Sequence, residues 1–292
     1  MPLINGTVLM SDARHFSALK AINPYYGDKN VDLHQADMEH RFITQALSLA
    51  GITIAAVPSP IDSQDGVYTA NWALVRGDVA ILARLPDVRK AEEAYAKQVL
   101  EQLGKKVIEV PKDMRFSGQG DALACGDFLF CGQGYRSDVK AQAFAAKKLG
   151  FERIQLQTVP ELDKNGEPVI NAVSGWPDSF FYDIDLALSI IKAPVAKESK
   201  GLIAYCPEAF TPESQKILAT FDRVEKIEVS LEEAKEAFAC NLVSTGETVI
   251  MSAHAPKLKA ALEAHGLKVL TPEVHELAKG GGYIRCTTLS LE

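Results

Sequence analysis

The sequence predicts an α/β fold made of five copies of one strand–helix–strand unit set around a common axis. Three observations predict it. First, a short apolar strand, an amphipathic helix and a second strand recur every 45–70 residues or so, a period in the range of propellers and arrays. Second, several of the helices close on a glycine that leads straight into a β-prone run, the arrangement of a left-handed helix cap. Third, after every second strand comes a segment in which polar residues sit among apolar ones. A single unit cannot bury its own apolar face, so the copies share one core. With no Pro/Gly/Ser-rich linker, low-complexity tract or like-charged block, residues 1–292 read as one α/β domain with five internal repeats.

In chain order, the first copy has a strand at 7–10, a long insertion, a helix near 40–50, Gly51, and a strand that runs to Val57 and stops at Pro58. The second has a strand at 77–83 and a helix whose Val88, Ala91, Tyr95, Val99 and Leu103 share one face at helical spacing. Gly104 caps that helix, and a strand at 106–110 ends at Pro111. The third has a strand at 126–131, a helix at 138–148, Gly150, and a strand leading to Pro160. The fourth opens with a strand at 185–190, followed by a linker, a helix at 212–221 and a strand at 224–229. The fifth has a strand at 246–251, a helix at 256–264, Gly266, and a strand ending at Pro272. The five trailing segments are 65–71, 116–121, 181–185, 239–242 and 280–286. If the units pack around one axis, these segments meet on it.

Composition narrows the function classes. The 292 residues are 47% apolar and 24% charged, an ordinary globular balance. A net charge of −7 disfavours nucleic acid or an anionic membrane as partner. No apolar run approaches the ~20 residues that span a bilayer, and the N-terminus shows no secretory pattern. Cys125, Cys131, Cys206, Cys240 and Cys286 make an odd set without metal-ligand spacing. Free thiols in a reducing, cytoplasmic compartment are expected, with no metal and no cofactor. Gly118 and Gly120 lack the following helix of a nucleotide-binding glycine loop. A homodimer is compatible with the sequence.

Chemistry concentrates at Gly280-Gly281-Gly282-Tyr283-Ile284-Arg285-Cys286. Three consecutive glycines allow backbone to turn sharply or pass close to a neighbour. A thiol beside such an approach reads either as a nucleophile aimed into a cleft or as a small core hydrophobe.

Ile22-Asn23-Pro24-Tyr25, Tyr68-Thr69-Ala70-Asn71, Gly120-Asp121-Ala122-Leu123, Gly134-Tyr135-Arg136-Ser137, Phe181-Tyr182-Asp183-Ile184-Asp185, Tyr205-Cys206-Pro207-Glu208, Ala239-Cys240-Asn241 and the closing glycine–cysteine stretch stand in order along the chain. In this the chain resembles the guanidino-group-modifying (pentein) enzymes: dimethylarginine dimethylaminohydrolases, arginine dihydrolases, arginine deiminases and amidinotransferases. The resemblance implies a five-bladed α/β propeller of ββαβ-type repeats with pseudo-fivefold symmetry. It also implies a small guanidino or amidino substrate. Cys286 would be the nucleophile that forms a covalent thiouronium. Asp65 would hold the guanidinium, with Asn23, Asn71, Gln119 and Asp121 around the substrate and Arg136 and Arg89 on its α-carboxylate. Read without the resemblance, Asp65 is equally a turn cap, Asn71 a partner for buried backbone and Arg136 an exposed residue opening a helix.

Two departures stand out. Where such enzymes carry a His in a Tyr-His-Leu-Asp run, this chain has Asp183, and an ordinary Asp is a poor acid at neutral pH unless burial or a second carboxylate raises its pKa. Asp185, two residues on, is placed to be that second carboxylate. Before Gly120-Asp121, neutral Ser117 and Gln119 replace the usual acidic residue, at a cost of one charge-assisted bond, roughly 1.5–3 kcal/mol. Of six histidines, His40 and His265 read as surface residues at helix ends, and His275 as the one nearest the cleft mouth. A Cys-dependent hydrolase or transferase with altered acid–base groups is the leading reading. A non-catalytic ligand-binding relative and an enzyme for a less cationic substrate are the alternatives.

Overall fold

The structure is a computed structural model describing residues 4–25, 30–196 and 198–292. Its fifteen strands, counted among the described residues, fall into five three-stranded sheets of identical topology. The second unit shows the pattern. Strand β3 (Ala73–Arg76) pairs antiparallel with β4 (Val79–Leu82), which pairs parallel with β5 (Lys106–Glu109) across helix α2 (Lys90–Gln102). The third unit repeats it with β6 (Ala122–Cys125), β7 (Phe128–Gly132), α3 (Val139–Leu149) and β8 (Glu152–Leu156). The fourth does so with β9 (Leu188–Lys192), β10 (Gly201–Tyr205), α4 (Pro212–Thr220) and β11 (Val224–Glu228), with α5 (Leu231–Glu236) after it. The fifth has β12 (Val243–Ser244), β13 (Thr248–Ile250), α6 (Pro256–Ala264) and β14 (Lys268–Leu270). In the first unit β1 (Thr7–Ser11) and β2 (Thr53–Val57) flank α1 (Leu33–Leu49), while the antiparallel strand comes from the far end of the chain. This is β15 (Leu289–Ser290), whose Leu289 faces Leu9. The two ends of the chain therefore complete one sheet, and the five sheets form the pseudo-fivefold α/β propeller.

Burial follows from this layering. Central strands β7 and β10 are buried at every position, as the continuous apolar runs of strands covered on both faces require. Outer strands β2 and β5 have no buried position. Gly104 and Gly150 follow helices α2 and α3 at φ +79° and +71°, the left-handed geometry that only glycine adopts without a Cβ penalty. Among the described residues no helix is long and apolar enough to cross a membrane, and all five cysteines are free and buried.

Three expectations need correction. In the fourth unit the strand before the linker is β9, the antiparallel partner, and the unit's central strand is β10, which the sequence reading placed inside the linker. Both strands are apolar, so hydrophobicity alone does not say which of them the crossover helix returns beside. The buried residues of α2 are Glu92, Glu93, Ala96, Val99 and Leu100, whereas Ala91 and Leu103 are exposed. Glu92 is drawn inward by Arg89 and by the Trp72 indole N–H, which rotates the face by about one residue. Helix α1 begins at Leu33, capped by Asp32, so His40 lies in its middle, half-buried.

Candidate active site

Each trailing segment leads into the antiparallel strand of the next sheet, and the five segments converge on the axis. Several tighten into single 3₁₀ turns, at Thr69–Trp72, Gly118–Gly120 and Ile184–Leu186. These turns and the residues just before them bring Asn71, Ser117 and Asp183 to the centre. There a cavity of about 20 Å³ is lined by Cys286, Asp65, Asn71, Arg89, Arg136, Asp183, Asn23 and Ser117, room for about one water. The triglycine makes this convergence possible. Gly281 sits at φ +83°, and a Cβ there would lie 2.7 Å from the Asn23 carboxamide. Its carbonyl accepts from the Tyr182 hydroxyl at 2.8 Å, and the Gly280 carbonyl accepts from Asn23 Nδ2 at 3.1 Å.

Cys286 is 3% exposed and is held from both backbone and side chain. Its N–H donates to Asn241 Oδ1 at 3.1 Å, and its carbonyl accepts from the Ala70 N–H. Asn241 Nδ2 donates to the sulfur at 3.2 Å, and the thiol donates to Asp185 Oδ2 at 3.4 Å. Burial first, and then the Asp185 charge, push this thiol well above its ordinary pKa. The thiol therefore holds its proton, which is directed at the Asp185 carboxylate. The sequence reading had no role for Asn241. Its signal was its place in the fourth axial segment.

Three carboxylates lie behind and beside the sulfur. Asp183 Oδ2 accepts from Asn71 Nδ2 at 2.7 Å, while its Oδ1 is buried without a hydrogen-bond partner. Asp185 Oδ1 and Asp121 Oδ2 are in the same condition. Desolvation raises all three pKa values, and the Asp183 charge pushes Asp121 and Asp185 up further. Like charges crowded in low dielectric cannot all ionise, so the cluster retains protons that isolated carboxyls would lose. Burial alone raises Asp183, which is one of the two routes the sequence reading named, while Arg136, Asn71 and Ser117 pull it back down.

The two arginines differ. Arg89 is fully engaged. Its Nε and Nη2 donate to Glu92 at 2.8 and 2.6 Å, its Nη1 to Asn71 Oδ1 at 2.8 Å, and its Nη2 also to the Asp65 and Tyr68 carbonyls. It lines the cavity but acts on Asn71, so the expected α-carboxylate contact is replaced by a buried chain Glu92–Arg89–Asn71–Asp183. Arg136 is buried beneath Tyr182, its guanidinium carbon 5.0 Å from the ring centre. One Nη2 proton goes to the Ile22 carbonyl, while Nε and Nη1 have no hydrogen-bond partner. It is a buried cation with unused donors at the cavity wall, not the exposed residue of the alternative reading.

Gln119 and Asp121 lie off this cavity. The 3₁₀ turn at Gly118–Gly120 sends Ser117 inward and Gln119 the other way. Gln119 accepts from Arg285 Nη2 and the Ser290 N–H, both at 2.9 Å, and faces a second cavity at the opposite end of the axis. Asp121 accepts from the Ile184 N–H at 3.1 Å and stands behind Asp183. Gly120 keeps the layer tight, since a Cβ there would come 2.7 Å from Asp183 Oδ2. Asp65 and Asn23 do line the cavity, and Asp65 is 1% exposed. No described histidine lines it, and His275 is on the surface.

No family model matches the chain. The bifunctional arginine dihydrolase/ornithine cyclodeaminase AgrE of Nostoc sp. is 31% identical over 290 residues, covering 96% of this chain and 37% of that protein. This chain thus spans little more than a third of that relative. The N(G),N(G)-dimethylarginine dimethylaminohydrolase of Mycobacterium tuberculosis is 29% identical over 287 residues, covering 97% of this chain and 84% of that one. Solved structures of the N-terminal domain of ArgZ, an arginine dihydrolase from the ornithine-ammonia cycle in cyanobacteria, superpose with a TM-score of 0.84 at 27% identity. They cover 98% of this chain and 97% of theirs. One is a cysteine-to-serine variant bound to substrate, and another is covalently bonded to a reaction intermediate. Five identical sheets around an axis, a cysteine set on that axis among carboxylates, and likenesses of this extent together place the chain in the guanidino-group-modifying, or pentein, superfamily.

Proposed function

We propose that the chain is a Cys-dependent hydrolase or transferase acting on an arginine-like guanidino compound through a covalent thiouronium. The observation that carries this reading is the meeting, in one cavity, of Cys286, the buried Asp65, the unpartnered oxygen of Asp183 and the under-used Arg136. The related arginine dihydrolases and dimethylarginine dimethylaminohydrolase support the substrate class.

The substrate carboxylate takes the place of the Ile22 carbonyl on Arg136, which opens the water-sized cavity along the 22–25 segment. The planar guanidinium lies between Asp65 and Asp183, which line the cavity, with Asp185 behind the sulfur. A cation beside the sulfur lowers the thiol pKa, and the proton passes to Asp185 Oδ2. The sulfur forms a bond to the guanidinium carbon, the C–N bond breaks, and the departing amine takes its proton from Asp183. Water then gives a proton to the Asp183 carboxylate and attacks the thiouronium carbon. The C–S bond breaks, the adduct's hydroxyl proton passes to solvent so that a neutral ureido product leaves, and the thiol recovers its proton from Asp185. An acceptor amine in place of water makes the same cycle a transfer.

The lack of any histidine among the cavity's described residues favours a second reading, a ligand-binding member without turnover. One experiment separates the two. A haloacetamidine is reacted with the purified chain, the labelled residue is identified by mass spectrometry, and turnover of arginine, dimethylarginine and citrulline is followed by ammonia or amine release. Labelling of Cys286 that arginine analogues block, with release above that of Cys286→Ala, is expected. Release equal to the Ala variant removes the covalent mechanism, and protection without release leaves a binding protein.

A further inference from the structure

His254, Glu273 and His275 stand together on the surface of the fifth unit, outside the cavity that holds Cys286. Strands β13 and β14 run parallel, with Ile250 opposite Leu270. The loops leaving their C-terminal ends therefore start side by side. His254 comes four residues beyond one strand end, and Glu273 and His275 three and five beyond the other. The three side chains turn to one point. Nε2 of His254 lies 3.3 Å from Glu273 Oε2, and Nε2 of His275 lies 3.5 Å from the same oxygen. All three ligand atoms fall within 4.8 Å of one another.

The two spacings from the histidines to Glu273 match the edges of a metal polyhedron. Zinc bonds of about 2.0–2.1 Å to imidazole and carboxylate make tetrahedral edges of about 3.3–3.4 Å. The surroundings are also electronegative. His254 borders a groove that carries Glu232, Glu233 and Glu236, and its one lysine, Lys257, is already paired with Glu232 at 2.9 Å. Two imidazoles and a carboxylate, with a fourth position open to solvent, are a donor set for a divalent transition ion of the zinc class.

We propose that His254, Glu273 and His275 bind one such ion, and that it ties the β13–α6 loop to the loop leading to the catalytic cysteine. The second loop is already linked to the site: Tyr283, three residues before Cys286, donates its hydroxyl hydrogen to the Val274 carbonyl and accepts from Ser252, both at 3.3 Å. His254 N–H donates to the same Ser252 hydroxyl. A bound ion would clamp both sides of that contact. The sequence reading expected no metal, having found no cysteine or histidine-rich spacing of a zinc site.

The test uses the full chain, stripped with a chelator and dialysed. Zinc is titrated calorimetrically, bound metal is counted by elemental analysis, and cobalt(II) serves as a spectroscopic probe. The expected result is one ion per chain, a rise in Tm, and a four-coordinate cobalt spectrum without a thiolate charge-transfer band. His254→Ala, His275→Ala and Glu273→Gln should each weaken binding about tenfold or more, while Cys286→Ser leaves it unchanged. All three are surface positions, so far-UV circular dichroism should show the variants folded. Zinc that is not retained at micromolar concentration, that survives the double histidine variant, or that leaves with Cys286→Ser overturns the proposal.

Discussion

Replacing Asp183 with Asn isolates the most unusual feature of the site. The change is nearly isosteric. The Asn carbonyl still accepts from Asn71 Nδ2, as Oδ2 does now at 2.7 Å, so the buried chain back to Glu92 keeps its geometry. What disappears is a transferable proton on a group whose other oxygen is unpartnered in the cavity. General acid–base catalysis contributes about 10²–10⁴-fold, or about 2.7–5.4 kcal/mol at 1.36 kcal/mol per decade. We predict a fall in kcat of that size, read as amine or ammonia release. The Asp183 charge is also one of those holding the Cys286 thiol up, so alkylation of Cys286 should be no slower in the variant. Stability supplies a second readout. The native pKa of Asp183 is raised above its unfolded value, so its stability contribution is present below the unfolded pKa and is lost as pH rises through the native one. The Tm of Asp183→Asn relative to the parent should therefore climb as pH rises above the ordinary carboxylate value of about 3.9. Unchanged turnover refutes the assignment of Asp183 as proton carrier. Lost turnover together with slowed alkylation shows damage to the site instead.

Other outcomes follow from the same geometry. Cys286→Ser should abolish turnover while retaining binding of arginine analogues by calorimetry; residual activity near the parent level would exclude sulfur as nucleophile. Arg136→Ala removes a charge-assisted contact worth about 1.5–3 kcal/mol, so KM for arginine should rise roughly 10–100-fold. A guanidino compound without a carboxylate should be little affected, and an equal effect on both would place the substrate carboxylate elsewhere. Glu92→Gln leaves the Arg89 guanidinium buried without its anion, which costs on the order of 3–5 kcal/mol and should appear as a lower denaturation midpoint. Gly281→Ala forces a Cβ at φ +83° towards Asn23, at roughly 1–3 kcal/mol, and should reduce the alkylation rate of Cys286 along with Tm.

Much of this protein could be read from residue order. Period, cap glycines and strand-stopping prolines are local signals, and they located the helices and most of the strands of the five units. The polar segments were recognisable because Asp65, Asn71, Asp183 and Asp185 interrupt apolar runs, which a buried turn tolerates only when those groups have work or partners there. The triglycine before Cys286 announced a close approach, and the backbone at Gly281 makes one against Asn23. What only the tertiary structure decided is direction and partnership. Whether β9 or β10 is the central strand depends on which the crossover helix returns to. Whether Gln119 faces the sulfur or Arg285 depends on the twist of one 3₁₀ turn. Arg89 belongs to Glu92 and not to a substrate because folding buries both, and a buried cation takes the nearest anion. The alignment of His254 with His275 exists only because two parallel strands end level. Local sequence sets what each segment prefers to bury, whereas the meeting of charges across a ring is set by long-range register that no short stretch contains.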